Sequence, residues 1–206
     1  MKKIKLYSVL FASIAMIALG MTSCNDSSYS YGRPLSPQEI QTAYFTVRGY
    51  HTGKMYFLKE AANQNSESQK AKTDSVDISW TIDTDSTMII HDFPTHAFAE
   101  FVADEEMKEA LLQQPNQDIK CQTYYYNLSP ICFYVGVTAP TYNITYGGKE
   151  HKVQLAFYTG TNFYGAFDNA TKYMEISIMA GGLYVDGELQ TSATKTTNIP
   201  FLLVKK

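Results

Sequence analysis

Apolar and polar residues alternate strictly in the stretch VDISWTI, residues 76–82. Because successive side chains of a β-strand point to opposite faces, this pattern predicts a strand with one buried face and one wet face. A short polar turn follows at residues 84–86, and residues 87–91 are predicted to return as the second strand of a hairpin. The fold is therefore expected to be built on an antiparallel sheet.

Further turn signals divide the C-terminal half of the chain into strands. Paired glycines at residues 147–148 and 181–182, and Asp-Gly at residues 186–187, are typical of tight hairpin turns. A last strand is predicted over residues 199–204, where Pro200 indicates an edge position because proline donates no ladder hydrogen bond. The polar stretch 61–73 is predicted to be a mobile loop.

Two helices interrupt this β pattern. Ser36 and Glu39 form a capping box with Pro37 at the first helical position, which predicts a helix over residues 37–47. Asp104 is predicted to cap a mid-chain helix that ends before Pro115. The predicted fold class is mainly β (α+β): an antiparallel sandwich or open barrel of about 8–10 short strands with one N-terminal and one mid-chain helix.

The N-terminal segment predicts export. Three lysines precede an apolar run over residues 6–19, which is shorter than the about 20 residues that a membrane-spanning helix needs. This is the pattern of a secretory signal peptide. The residues that follow, MTSC at 21–24, resemble the lipobox of bacterial lipoproteins, with Met21 in place of the more usual Leu. The resemblance implies a signal peptide over residues 1–23 and a lipid on Cys24.

The remaining chain divides into a flexible tether over residues 24–35 and a single β-rich domain over residues 36–206. Without the three lysines of the signal peptide, the 17 basic and 20 acidic residues leave a net charge of 14 − 20 = −6. No basic patch is apparent, so nucleic acid is not an expected partner. The expected partner is the membrane, through the lipid on Cys24. The expected location is the cell envelope, as an outer-membrane protein facing the periplasm or the surface.

The sequence offers little catalytic or metal-binding chemistry. His91, Asp92 and His96 come nearest to a metal cluster, but their spacing matches no familiar ligand pattern. No nucleophile motif or phosphate-binding loop is found. We therefore expect no catalytic residue, no metal and no cofactor.

Cys121 and Cys132 either pair as a disulfide, which export permits, or remain as buried thiols. A simple hairpin would hold them too far apart to bridge.

Tyrosine is unusually frequent, with 16 residues. Three consecutive tyrosines at positions 124–126 must divide between the two faces of a strand, so at least one is expected to face outward. Exposed aromatic rings stack on sugars or anchor protein contacts. We therefore take Tyr124, Tyr126 and Tyr164 as candidate ligand-binding residues. The alternative is that tyrosine simply fills half-buried sheet positions, which suit it.

Several motifs, taken in order, resemble a group of uncharacterised Bacteroides-type (Bacteroidales) envelope lipoproteins with a domain of unknown function. The matching pieces are the lipobox, LSPQEI at 35–40, GYHTGK at 49–54, DFP at 92–94 with the acidic-capped helix, and the C-terminal glycine-punctuated hairpins. The resemblance implies a β-rich single domain in the cell envelope and brings no catalytic residue with it.

The expected function is a non-enzymatic envelope module that binds a glycan, a peptide or a partner protein. One alternative is a structural or assembly lipoprotein without a small ligand, and another is a hydrolase. A cleft lined by tyrosine with satisfied polar groups would favour the first. An apolar patch or an unpaired edge strand would favour the second, and a histidine–acid pair in a pocket would favour the third.

Overall fold

A computed structural model describes residues 33–58, 73–196 and 198–205. Cys24, the signal peptide, most of the tether and nearly all of the predicted 61–73 loop lie outside the described residues. The described residues from Leu35 onward form one compact unit. The fold is mainly β with few helices, as predicted.

Eleven strands occur within the described residues. They are β1 (Gly49–Leu58), β2 (Thr73–Ile82), β3 (Thr87–Phe93), β4 (Gln117–Leu128), β5 (Ile131–Thr138), β6 (Tyr142–Tyr146), β7 (Lys149–Phe157), β8 (Tyr164–Phe167), β9 (Met174–Val185), β10 (Glu188–Gln190) and β11 (Ile199–Lys205). The predicted alternation in β2 holds, because Ile78, Trp80 and Ile82 are buried while the residues between them are more exposed.

Eight of these strands close into an antiparallel barrel, in the order β11-β1-β2-β3-β4-β5-β8-β9. The ring closes because β9 pairs back onto β11, from Ile199 opposite Ala180 to Val204 opposite Glu175. The long strand β9 continues past the barrel and there pairs with β7 and β10. The interior is filled by large apolar side chains, among them Trp80, Phe133 and Phe201, each fully buried.

Three helices accompany the barrel within the described residues: α1 (Pro37–Val47), α2 (His96–Ala99) and α3 (Glu105–Leu112). The predicted capping box at Ser36 and Glu39 is present, and the Asp104 side chain accepts a hydrogen bond from the Met107 backbone. The Tyr44 hydroxyl donates to the Asp83 carbonyl oxygen, which ties α1 to the β2–β3 turn. No helix in the described part of the chain has the length and apolar character to cross a membrane.

Two local predictions are wrong. Residues 181–182 form no turn, since β9 continues through them, with a register shift against β7 at Gly181. A Cβ at Gly181 would overlap the Tyr158 ring, so this glycine serves close packing. Strand β11 is not an edge strand, because it pairs with β1 and β9. Pro200 is tolerated because it lies one residue before the pairing with β1 begins at Phe201.

The two cysteines are buried thiols that form no disulfide, which is one of the two predicted alternatives. Cys121 lies opposite Val137, whereas Cys132 lies opposite Asn127 near the other end of the hairpin. Burial raises the pKa of the Cys121 thiol to about 12, so the thiol is protonated at neutral pH.

Candidate functional site

A groove of about 390 Å³ lies on the outer face of β1, β2 and β3. We call it the histidine groove, and its lining includes Tyr50, Thr52, Asp77, Ser79, His91 and Asp92. These residues meet because alternate side chains on each strand face outward, and because the strands are in register. Thr52 lies opposite Ser79 in the β1–β2 pair, and Ser79 lies opposite His91 in the β2–β3 pair.

A β-bulge brings two consecutive residues of β3 into this groove. The β3–β4 register shifts between Ile90 and Phe93, and Asp92 has a left-handed backbone with φ 49°. In a regular strand, His91 and Asp92 would face opposite sides of the sheet. The bulge re-aims the backbone, as bulges commonly do, so both residues line the groove.

His91 is held at both ring nitrogens. Its Nε2 lies 2.8 Å from the Thr81 hydroxyl, and its Nδ1 lies 3.3 Å from Oδ2 of Asp118. The other oxygen of Asp118 accepts a hydrogen bond of 3.0 Å from the Asp92 backbone N–H. This last bond, followed by the bond to His91, holds the pKa of the Asp118 carboxyl below its ordinary value. One carboxylate therefore fixes both the His91 ring and the bulge beside it.

Thr81, His91 and Asp118 follow one another in the order hydroxyl, histidine and carboxylate, which is the order of a catalytic triad. Acyl transfer also needs preorganised donors, commonly backbone N–H groups, for the developing oxyanion. Thr81 lies in β2, which pairs with β1 on one side and β3 on the other at this level. The β2 backbone N–H groups are therefore committed to the two ladders. The hydrogen bonds from Thr81 and Asp118 therefore fix the His91 ring in the groove wall, and the β2 backbone beside Thr81 offers no oxyanion site.

A second histidine repeats the same clamp elsewhere. His151 Nδ1 lies 2.8 Å from Oδ2 of Asp186, and the Lys152 backbone N–H donates to Oδ1 at 2.9 Å. The Lys152 bond, followed by the bond to His151, lowers the pKa of the Asp186 carboxyl. The Tyr146 ring lies 4.2 Å from the His151 ring. The clamp is thus a recurring device that joins neighbouring strand segments. At His91 it also shapes a groove.

A wider depression of about 670 Å³ lies between α3 and the β6–β7 turn. Its lining includes Glu106, Glu109 and Tyr146. The Glu106 carboxylate accepts a 2.9 Å hydrogen bond from the Gly147 backbone N–H and so ties the helix to the turn. Glu106 therefore has a structural role, because it helps to hold α3 against the β6–β7 hairpin.

The three candidate tyrosines come together on another side of the barrel. Tyr134 lies opposite Tyr124 across β4–β5 and opposite Tyr164 across β5–β8. The rings of Tyr126 and Tyr134 stack, with centroids 4.2 Å apart and planes inclined by 18°. We call Tyr124, Tyr126, Tyr134 and Tyr164 the tyrosine strip. Tyr134 is not among the predicted candidates, and it joins the strip because it lies opposite a tyrosine on each neighbouring strand.

The metal cluster considered for His91, Asp92 and His96 does not form. The His96 ring packs edge-on against Phe57, 5.7 Å away, whereas the His91 ring bonds Thr81 and Asp118. No group of three or more potential metal ligands occurs in the part of the chain that the structure describes. Asp118 is 27 residues from His91, so only the β3–β4 pairing reveals the partnership.

Fold and surface together define a small closed antiparallel β-barrel protein whose candidate sites lie on its outside. Residues 46–185, more than half of the chain, match the family described as "Domain of unknown function (DUF4840)". The chain belongs to this family. Searches of curated proteins and of solved structures returned no match.

Proposed function

We propose that the chain is a lipid-anchored cell-envelope protein of Bacteroidales type, and that its barrel is a non-enzymatic binding module. The lipobox-like MTSC at residues 21–24 supports the anchor. A single lipid chain binds membranes only marginally, whereas two or more anchor a protein stably. The ligand-binding surface in this proposal is the histidine groove.

The make-up of the histidine groove carries the binding proposal. The groove is concave and has an exposed aromatic ring, and both ring nitrogens of its histidine are hydrogen-bonded. Tyr50 is 65% exposed, and its ring centroid lies 6.1 Å from that of His91. Ligand sites are typically concave surfaces with aromatic side chains and a few fixed polar groups. Since the barrel interior is packed with large apolar side chains, an outer groove is the more accessible place for a ligand.

Cell fractionation tests the anchor. Cys24→Ala should move the protein from the membrane fraction to the soluble fraction, and it should abolish labelling by a radioactive fatty acid. Cys132→Ala is the matched control, because it removes a buried thiol of the domain and leaves the lipobox intact. Unchanged membrane association of Cys24→Ala would contradict the proposed anchor.

A melting-shift screen tests the binding module. The detergent-purified protein is screened against neutral saccharides, short peptides and amines. A ligand at 100 times its Kd should stabilise the fold by about 2.7 kcal/mol. For a domain of this size that corresponds to a Tm increase of roughly 5–10 °C. The shift should vanish in Tyr50→Ala. If no compound in the three classes shifts the wild-type Tm, the binding proposal fails.

The tyrosine strip favours a second candidate function, a contact with another envelope protein in a structural assembly. Tyrosine is enriched where protein interfaces concentrate their binding energy. If the strip is such a contact, the detergent-extracted protein should migrate on a native gel as a complex that Tyr124→Ala disrupts. Tyr50→Ala should leave that complex intact. Migration of the wild type as a monomer would contradict this candidate.

A further inference from the structure

We infer that the histidine groove binds a neutral sugar ring. This inference rests on the proposed binding function and names the ligand class of the same site. It follows from four features of the groove: its aromatic wall, its hydroxyl floor, the charge of its lining and the strand pairing at its floor.

The aromatic wall suits the apolar face of a pyranose. Tyr50 is the most exposed large hydrophobic residue that the structure describes, at 65%. The His91 ring lies beside it, tilted by 32°, and is fixed by Thr81 and Asp118. Sugar rings carry C–H groups on one face, and these pack on the electron-rich faces of aromatic rings. A ring held in place before binding loses little entropy when the ligand arrives.

The floor and the far wall suit the hydroxyl rim of a sugar. Thr52 and Ser79 lie opposite each other on the floor, and both carry hydroxyl groups that donate and accept hydrogen bonds. The Asp92 carboxylate accepts hydrogen bonds only, which suits the donating hydroxyls of a saccharide. Hydrogen bonds to an ionised carboxylate are also stronger than those between neutral groups.

The charge of the groove argues for a neutral ligand. The Lys54 ammonium lies 3.3 Å from the Asp77 carboxylate, so these two charges offset each other. An anionic ligand such as a phosphate would be repelled by the Asp92 carboxylate, which lines the groove. A polycation would find Asp77 already engaged by Lys54.

The position of the groove argues against an extended peptide. Peptides commonly bind sheets by adding a strand to an exposed edge. At the floor of the groove, Ser79 of β2 pairs with Thr52 of β1 on one side and with His91 of β3 on the other. The backbone of β2 at this point is therefore not available to a new strand. The volume of about 390 Å³ lies at the lower end of the range for small-molecule sites, which suits one or two sugar rings.

Saturation-transfer difference NMR tests the inference on protein purified in detergent from cells expressing the full chain. The probes are mono- and disaccharides of glucose, galactose, mannose, xylose and N-acetylglucosamine. Glucuronate, spermidine and trialanine represent the anionic, polycationic and peptide classes. We expect transfer to ring C–H protons of at least one neutral sugar. Tyr50→Ala should weaken its binding at least tenfold, and Asp92→Asn should weaken it severalfold.

Two further variants keep the outcome interpretable. Tyr50→Phe retains the ring and should retain binding, whereas Tyr124→Ala removes an exposed tyrosine of the strip and should change nothing. If glucuronate, trialanine or spermidine shows the Tyr50-dependent transfer and the neutral sugars do not, the neutral-sugar class is wrong while the proposed binding function stands. If no probe of any class shows transfer that Tyr50→Ala reduces, both fail.

Discussion

The histidine groove on β1–β3 and the tyrosine strip on β4, β5 and β8 are both made of outward-facing side chains, yet they differ in the residues that surround each aromatic ring. In the groove, the rings of Tyr50 and His91 flank the small side chains of Thr52 and Ser79. In the strip, each ring has another ring as its neighbour across the strands. A concave site thus arises where large and small residues alternate.

The largest expected difference between the two faces concerns a glycine on each. Gly53 lies in the groove, and a Cβ there would overlap the backbone carbonyl oxygen of Val204 in β11. Because backbone cannot move aside as a side chain can, Gly53→Ala should destabilise the fold by about 3 kcal/mol. Chemical denaturation measures this change in the free energy of unfolding.

Gly136, on β5 beside the strip, provides the matched control. A Cβ there would meet Gln122 at 3.9 Å, an ordinary contact distance. Gly136→Ala should change the stability by no more than about 0.5 kcal/mol, or should raise it, because alanine has less backbone entropy to lose. Equal losses in the two variants would contradict the packing described for Gly53.

The two histidine clamps give the next sharpest comparison. Asp118→Asn weakens the acceptor that holds both the His91 ring and the Asp92 backbone, so it should reduce sugar binding in the groove about tenfold. Asp186→Asn makes the same change in the His151 clamp, away from the groove, and should leave binding unchanged. Titration of each variant with the bound sugar measures this. Equal loss of affinity would show that the His91 clamp has no special part in the groove.

Acid titration tests the Asp118 clamp through stability. The pKa of the Asp118 carboxyl is lowered in the folded state, so its carboxylate stabilises the fold above the unfolded pKa of about 3.9. That stabilisation is lost as the pH falls through the lower folded pKa. The stability advantage of wild type over Asp118→Asn should therefore be constant above about pH 5 and shrink below pH 4. A constant advantage across that range would contradict the assignment.

The smallest expected effect concerns the strip itself. Tyr124 is 57% exposed, and its hydroxyl donates to the Gln122 side chain at the surface. Tyr124→Ala should therefore change the free energy of unfolding by no more than about 0.5 kcal/mol. A loss of more than 1 kcal/mol, measured by denaturation, would mean that the Tyr124 ring supports the barrel.

Local patterns in the sequence predict the elements, and long-range pairing decides how they assemble. The VDISWTI strand and the Ser36–Glu39 capping box are visible because the signal lies within a few residues. Barrel closure depends on β9 pairing with β11, and Gly181 within β9 is packed against Tyr158, a residue earlier in the chain. No local pattern carries that information.

The same division applies to the candidate sites. Outward tyrosines at residues 124–126 are foreseeable from alternation, and three of the four strip residues are predicted. The groove is not foreseeable, because it needs the β-bulge after Ile90 and the carboxylate of Asp118, which comes from a strand later in the chain. His91 is singled out in the sequence as a possible metal ligand. Its role in the groove appears only once β3 and β4 are paired.

An NMR titration of ¹⁵N-labelled protein with the best-binding neutral saccharide tests the central claim most directly. The claim is that ligand binds on β1–β3. We predict that the largest amide shift changes fall on Tyr50, Thr52, Ser79 and His91, with little change at Tyr124, Tyr134 and Tyr164. Shift changes centred on the tyrosine strip, with the groove amides unmoved, would contradict it.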